Sequence, residues 1–299
     1  MKKMPEKPKK LKRASDVEKA LHENPAANAA LRKLRSYLDT AEPDVVYFLV
    51  NTWNNQAKAI TYKELREAIL AGELKSEWLD QWMQDYSRLV KDKLLPKWLD
   101  AMQAANTELE EKYPNWYFNP AADGVREWTK SHGAEFVTQV TTAQVEGLRA
   151  VIRQATAMEI MTVDQLSRAI RPLVGLTKPQ ATANFNYYNK LIESGLKQAK
   201  ALDLSARYAA RQHRWRGYMI ARTEMATAFS QGARQGVKQA QAKGYIGKVK
   251  RVWRTALDER TCSTCGGREG KEYDLDSPTQ CPAHPGCRCT EEFKEISPP

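Results

Sequence analysis

Every cysteine of this chain lies between Cys262 and Cys289: Cys262-Ser-Thr-Cys265, then Cys281, then His284-Pro-Gly-Cys287-Arg-Cys289. Two thiols separated by two residues form a knuckle that offers two corners of a tetrahedral Zn²⁺. His284, Cys287 and Cys289 offer more than enough for the other two. Any two of those three complete the set, and Cys281 is the donor that fits it least well. Four protein ligands leave no position for water, so the chemistry expected is structural rather than catalytic. The segment is too short and polar to bury a core of its own, which makes a metal the element that holds it folded. The charged N-terminus has no apolar stretch of the kind a secretory leader carries. A reducing compartment is therefore expected, which favours metal over disulfide.

Other uses of these residues fit less well. A zinc deaminase needs His-x-Glu ahead of Pro-Cys-x-x-Cys; here Thr261 precedes Cys262, and none of His22, His132 or His213 has Glu two residues on. A Mg²⁺-dependent nuclease using Glu224, Asp258 and His284 is an alternative, although separated acids occur in any sequence. Arg222 and Glu224 are expected instead in a buried or subunit-facing ion-pair network that joins a long helix to the zinc module. Asp258 is expected to cap the turn into Cys262 or to pair with Arg260. Trp253 is expected to be the module's hydrophobic anchor.

Charge suggests a second kind of chemistry. The formal net charge is +11, unevenly spread over 299 residues. Lys2, Lys3, Lys7, Lys9, Lys10, Lys12 and Arg13 face Glu6 alone, with Pro5 and Pro8 against a helix, so residues 1–14 read as a disordered basic tail. From Arg207 to Arg254 there are twelve Lys or Arg and one acid, Glu224. Such a density predicts a nearby anion, most often a phosphate backbone. Lys9, Lys10, Lys12, Arg13, Lys248, Lys250 and Arg251 are the candidate contacts, expected to bind double-stranded DNA without sequence preference. A sequence-reading regulator is disfavoured, because no recognition-helix pattern or finger-type Cys-to-His spacing is present.

The elements that must position these groups are mostly helical from Ser15 to about Gly244. Capping boxes are expected at Ser15/Glu18, Thr61/Glu64, Thr141/Gln144, Thr162/Gln165 and Thr177/Gln180. Val145, Leu148, Val151, Ile152 and Ala155 form one apolar stripe, and Val163, Leu166, Ala169 and Ile170 another, ended by Pro172 and Gly175. Trp78, Trp82, Leu89 and Trp98 recur on a helical face that reads as core or interface, partly exposed and adhesive in the isolated chain. Tyr113–Pro120 reads as an ordered loop. A long basic helix is predicted from about Leu204 to Lys243, with Gly217, Gly232 and Gly236 marking close contacts or a break. Lys248–Arg254 then has strand character, with Glu272-Tyr273 as its return partner and the cysteine knuckle on the turn between them. No run of apolar residues is long enough to span a membrane.

Arg222-Thr223-Glu224, then Trp253-Arg-Thr-Ala-Leu-Asp258-Glu-Arg260-Thr-Cys262-x-x-Cys265, Gly270 and His284-Pro-Gly-Cys287-Arg-Cys289 form a compound motif. It resembles the phage head morphogenesis family, the minor head proteins similar to protein F of phage Mu. The likeness extends upstream through Gly175-Leu-Thr-x-x-Gln180-Ala to cover about residues 135–293, and Cys281 departs from the pattern. The resemblance implies a minor capsid protein of the virion, made in the host cytoplasm and carried inside the capsid near the portal. Its partners would be the portal protein, capsid or scaffold proteins and packaged DNA, with no membrane.

The fold expected is mainly α (α+β): a helical body with a small C-terminal β-hairpin module stapled by structural Zn²⁺. The expected divisions are the tail, a helical region 15–134, a helical part 135–247 of the head-morphogenesis domain, and a zinc module 248–299. The function expected is assembly rather than catalysis. A non-sequence-specific DNA-binding protein or a metal-dependent nuclease is the alternative.

Overall fold

A computed structural model describes residues 29–157, 162–256, 258 and 261–299. The basic tail, the Ser15/Glu18 capping box and Arg260 lie outside them. Helices α1 (Ala29–Ala59), α2 (Tyr62–Ala71) and α3 (Ser76–Leu89) come first, then a π-helical segment Val90–Leu94 leading into α4 (Leu95–Lys112). α5 (Asp123–Thr156), α6 (Val163–Ile170), α7 (Lys178–Glu193) and α8 (Gln198–Ala242) complete the helical body. The remainder is β1 (Val249–Arg254), a helical turn Ser263–Gly266, β2 (Glu272–Asp274) and β3 (Thr290–Glu295). No helix among the described residues is long and apolar enough to cross a membrane.

The architecture is the expected one, a helical body with a small antiparallel sheet. The capping boxes of α2, α6 and α7 form as predicted: Thr61, Thr162 and Thr177 open these helices, with Glu64, Gln165 and Gln180 reaching back. Thr141/Gln144 does not start a helix. α5 runs straight through it, so the amides a cap would serve already have partners. Gln144 is buried and accepts from the Tyr86 hydroxyl. The Tyr113–Pro120 loop is ordered by Trp116 and Phe118, both buried among Met102, Val125, Val237 and Ile246.

The chain forms two compact units, residues 47–90 with 133–217, and residues 29–46 with 91–132 and 218–299. The first is organised around Trp53, whose indole N–H donates to Tyr86 Oη at 2.9 Å. His213 stacks on Trp53 with ring centroids 5.5 Å apart, and burial pushes its imidazole down to about 4. The Arg216 guanidinium lies 5.1 Å over the same indole, a cation–π contact.

In the second unit α8 packs closely on α4. A Cβ on Gly232 would collide with Met102, and one on Gly236 with the side chain of fully buried Asn106. Asn106 Nδ2 donates to Gly232 O at 2.9 Å, so these glycines mark contacts, and the helix continues unbroken through them. Gly236→Ala gains roughly 1 kcal/mol of helix propensity but loses about 1–3 kcal/mol by overpacking. A net destabilisation of about 1 kcal/mol is expected in urea unfolding, and a stabilised variant would show that α4 can move aside.

The tryptophan face is corrected by burial. Trp78, Trp82, Leu89 and Trp98 all belong to the core and offer no adhesive surface. Trp98 packs edge-on against Trp128 and His132.

β1 is the central strand, in the order β2-β1-β3 with both neighbours antiparallel. Its predicted partner forms, with Arg251 opposite Tyr273 and Val252 opposite Glu272. β3, which pairs Val249 with Glu295 and Arg254 with Thr290, was not anticipated, because Thr-Glu-Glu-Phe-Lys-Glu lacks a strand's apolar alternation. The two ends of β1 rest on different cores. Val249 belongs to the helical cluster with Met102 and Trp116, whereas Trp253 packs with Cys265, Cys281, Cys287 and Cys289.

Candidate metal centre

Two limbs of chain converge on the Trp253 end of β1. The first is the turn after β1. Cys262 caps the helical turn, its sulfur accepting from the Cys265 amide at 3.4 Å, which holds the Cys262 thiol below its ordinary range. The second limb brings His284, Cys287 and Cys289 back before β3. His284 Nε2 stands 3.2 Å from Cys262 Sγ and 3.3 Å from Cys265 Sγ. Cys265 Sγ is 3.7 Å from Cys287 Sγ. Two trios of donors result, Cys262–Cys265–His284 and Cys265–Cys287–Cys289, with Cys265 common to both. Among the described residues these are the groups that could hold a metal ion.

The donor chemistry fits a tetrahedral thiolate–imidazole ion. With metal–sulfur bonds of about 2.3 Å, two sulfurs of a tetrahedron stand roughly 3.8 Å apart, and the Cys265–Cys287 pair meets that spacing. His284 Nδ1 lies 3.0 Å from the Pro285 carbonyl, so a proton there leaves Nε2 turned to the sulfurs with its lone pair free. Burial pushes the Cys265 thiol up to about 12 and Cys281 well above its usual value. Hydrogen bonds from Cys281 and Cys289 hold Cys287 far lower. So many sulfurs cannot all ionise in one apolar pocket, and a bound dication reverses that restraint. Cys281 is buried in the same cluster but belongs to neither trio.

The two limbs are clamped outside the sulfurs. Asp258, ahead of Cys262, takes both terminal nitrogens of Arg288, which sits between Cys287 and Cys289. The pairing expected with Arg260 lies outside the described residues. The turn ahead of Cys262 is tied by Thr261, which donates its amide to Asp258 O at 2.9 Å and its hydroxyl to Asp258 Oδ1 at 3.3 Å. Trp253 is the hydrophobic anchor anticipated, with the Arg268 guanidinium 5.0 Å over its ring.

Arg222 and Glu224 are buried and paired, but neither reaches the cysteine module. Arg222 Nε donates to Glu42 Oε1 of α1 at 2.7 Å, and Glu224 Oε2 stands 2.7 Å from His132 Nε2 of α5. The link from α8 to the sheet is a triad that the sequence did not reveal. Arg234 of α8 and Arg251 of β1 both grip Glu291 of β3, with Arg234 Nε 2.7 Å from Oε2. Arg251 also donates to the carbonyls of Asp274, Ser277 and Thr279. No pattern in one sequence pairs residues 40 apart.

A third of the basic stretch serves the interior. Of its twelve cations, Arg216, Arg222, Arg234 and Arg251 are buried. Arg251, expected to meet DNA, is fully enclosed and spent on Glu291, so no phosphate reaches it. Lys250 pairs with Asp274 at 2.5 Å, and Lys248 is exposed. Lys9, Lys10, Lys12 and Arg13 lie outside the described residues. The acids of the nuclease reading are likewise engaged, Glu224 with His132 and Asp258 with Arg288, and neither belongs to a metal-capable trio.

No curated protein and no solved structure matches the chain. A family model described as Phage Mu protein F like protein matches residues 186–292. That stretch includes the Arg222-Thr223-Glu224 triplet and the entire Cys–His cluster, and it begins downstream of the Gly175–Ala181 segment. Over residues 186–292 the chain is therefore similar to phage Mu protein F, and the resemblance to the phage head morphogenesis family read from its motifs holds there.

Proposed function

We propose that this protein is a minor head protein that acts in phage head assembly through its surfaces, with a structural Zn²⁺ held by Cys262, Cys265, His284 and Cys287. The match of residues 186–292 to the phage Mu protein F like family is the observation that carries this reading. The donor set supports a closed, non-catalytic ion, because three sulfurs and an imidazole leave no position for water. Engagement of Glu224 and Asp258 in internal pairs supports assembly over hydrolysis. The partners fitting this reading are portal and capsid proteins. Contact with packaged DNA would fall to Lys248, Lys250 and the N-terminal lysines and Arg13, through phosphates and without base preference.

Deleting the gene is expected to give defective or poorly infectious heads, and the protein is expected to copurify with portal-containing heads. Heads isolated without it, at full infectivity, would overturn the reading. So would Asp258→Ala protein that enters heads normally while a hydrolase activity disappears.

A further inference from the structure

α8 meets the turn that carries two of the proposed ligands through the Thr223 hydroxyl and the Met219 side chain. Thr223 stands between Arg222, held by Glu42, and Glu224, held by His132, so its place on the helix is fixed on both sides. Its hydroxyl donates to the Met219 carbonyl one turn back, at 2.7 Å. A hydroxyl has one proton, so the oxygen can only accept from anything else. The Gly286 amide, between His284 and Cys287, donates to it at 3.2 Å. The Met219 side chain seats against the same turn: a Cβ on Gly286 would stand 2.5 Å from Met219 Cε. Gly286 also holds φ at 71°, a conformation open to glycine.

We propose that Thr223 is a positioning residue for the metal centre. Its oxygen holds the Gly286 amide, which sets the turn presenting His284 and Cys287, so that metal binding and the seating of this turn on α8 stabilise each other. The middle residue of the Arg222-Thr223-Glu224 triplet thereby acquires a role of its own, while its neighbours secure the helix it stands on. This inference rests on the reading that the Cys–His cluster holds Zn²⁺.

The test is zinc affinity of the full chain, measured by competition with a chromogenic chelator, for wild type, Thr223→Val and Thr223→Ser. Valine keeps the shape and loses the acceptor, and is expected to weaken affinity about fivefold, the worth of one partly buried hydrogen bond. Serine keeps the oxygen and is expected to stay within about twofold of wild type. Equal affinity for valine and wild type would overturn the proposal, as would equal losses for valine and serine. Wild type that binds no zinc would overturn the metal reading itself. Should Thr223→Val not fold, amide exchange at Gly286 in the wild type decides. Protection that is lost on chelation supports the coupling, and identical exchange with and without zinc overturns it.

Discussion

Cys265→Ser is expected to release the metal and melt the cysteine end of the sheet while leaving the helices folded. Cys265 is the one donor present in both trios, so no choice among the remaining ligands rescues the site. Structural zinc contributes on the order of 10 kcal/mol to folding of small modules, and the cluster around Trp253 has few other apolar groups to replace it. The loss should divide β1. Val249 stays packed with Met102, Trp116 and Phe118, whereas the Trp253 end loses its support. Hydrogen exchange should therefore rise in 253–290 and stay slow in α4 and the end of α8, with little change in far-UV helical signal. Cys281→Ala, which removes a buried thiol outside both trios, should keep the metal. Retained metal and retained protection in Cys265→Ser would show that the fold does not depend on this ligand.

The second large effect is expected at Glu291. Its carboxylate is almost fully buried and answers two guanidiniums, one of which, on Arg251, is fully enclosed. Removing one partner of a buried ion pair leaves an uncompensated charge, at a cost of about 3–5 kcal/mol. Glu291→Ala should thus be the most damaging substitution outside the metal ligands, measured as a fall in urea midpoint. Arg234→Met should cost less, because Glu291 keeps Arg251, and Arg251 keeps the carbonyls of Asp274, Ser277 and Thr279. A Glu291→Ala change below about 1 kcal/mol would mean that water reaches the triad and solvates it.

Local chemistry was legible in the sequence where a short rule governs it. Thr61, Thr162 and Thr177 cap helices because a hydroxyl and a carboxylate or amide three residues on satisfy each other without outside help. The knuckle Cys262–Cys265, the strand at Lys248–Arg254 and its return at Glu272 follow from spacing and side-chain type. Pairings set by tertiary structure were hidden. Asp258 meets Arg288 because the two cysteine-bearing limbs bring residues 30 apart together. Thr141 carries the same local signal as the true caps, but α5 buries Phe136, Val137 and Val140 before it as well as Val145 and Leu148 after it, and so stays whole. The basic run illustrates the same limit: charge density along a chain does not distinguish a phosphate-facing surface from guanidiniums drawn inward by Glu42 and Glu291.

The central claim is that a metal ion holds the C-terminal module. Its most direct measurement is elemental analysis of the full chain, purified without chelators, alongside protein concentration from the tryptophan absorbance. The account predicts about one zinc per chain, retained through gel filtration and lost, together with amide protection in 253–290, when a strong chelator is added. Protein free of zinc that keeps the same protection would contradict it.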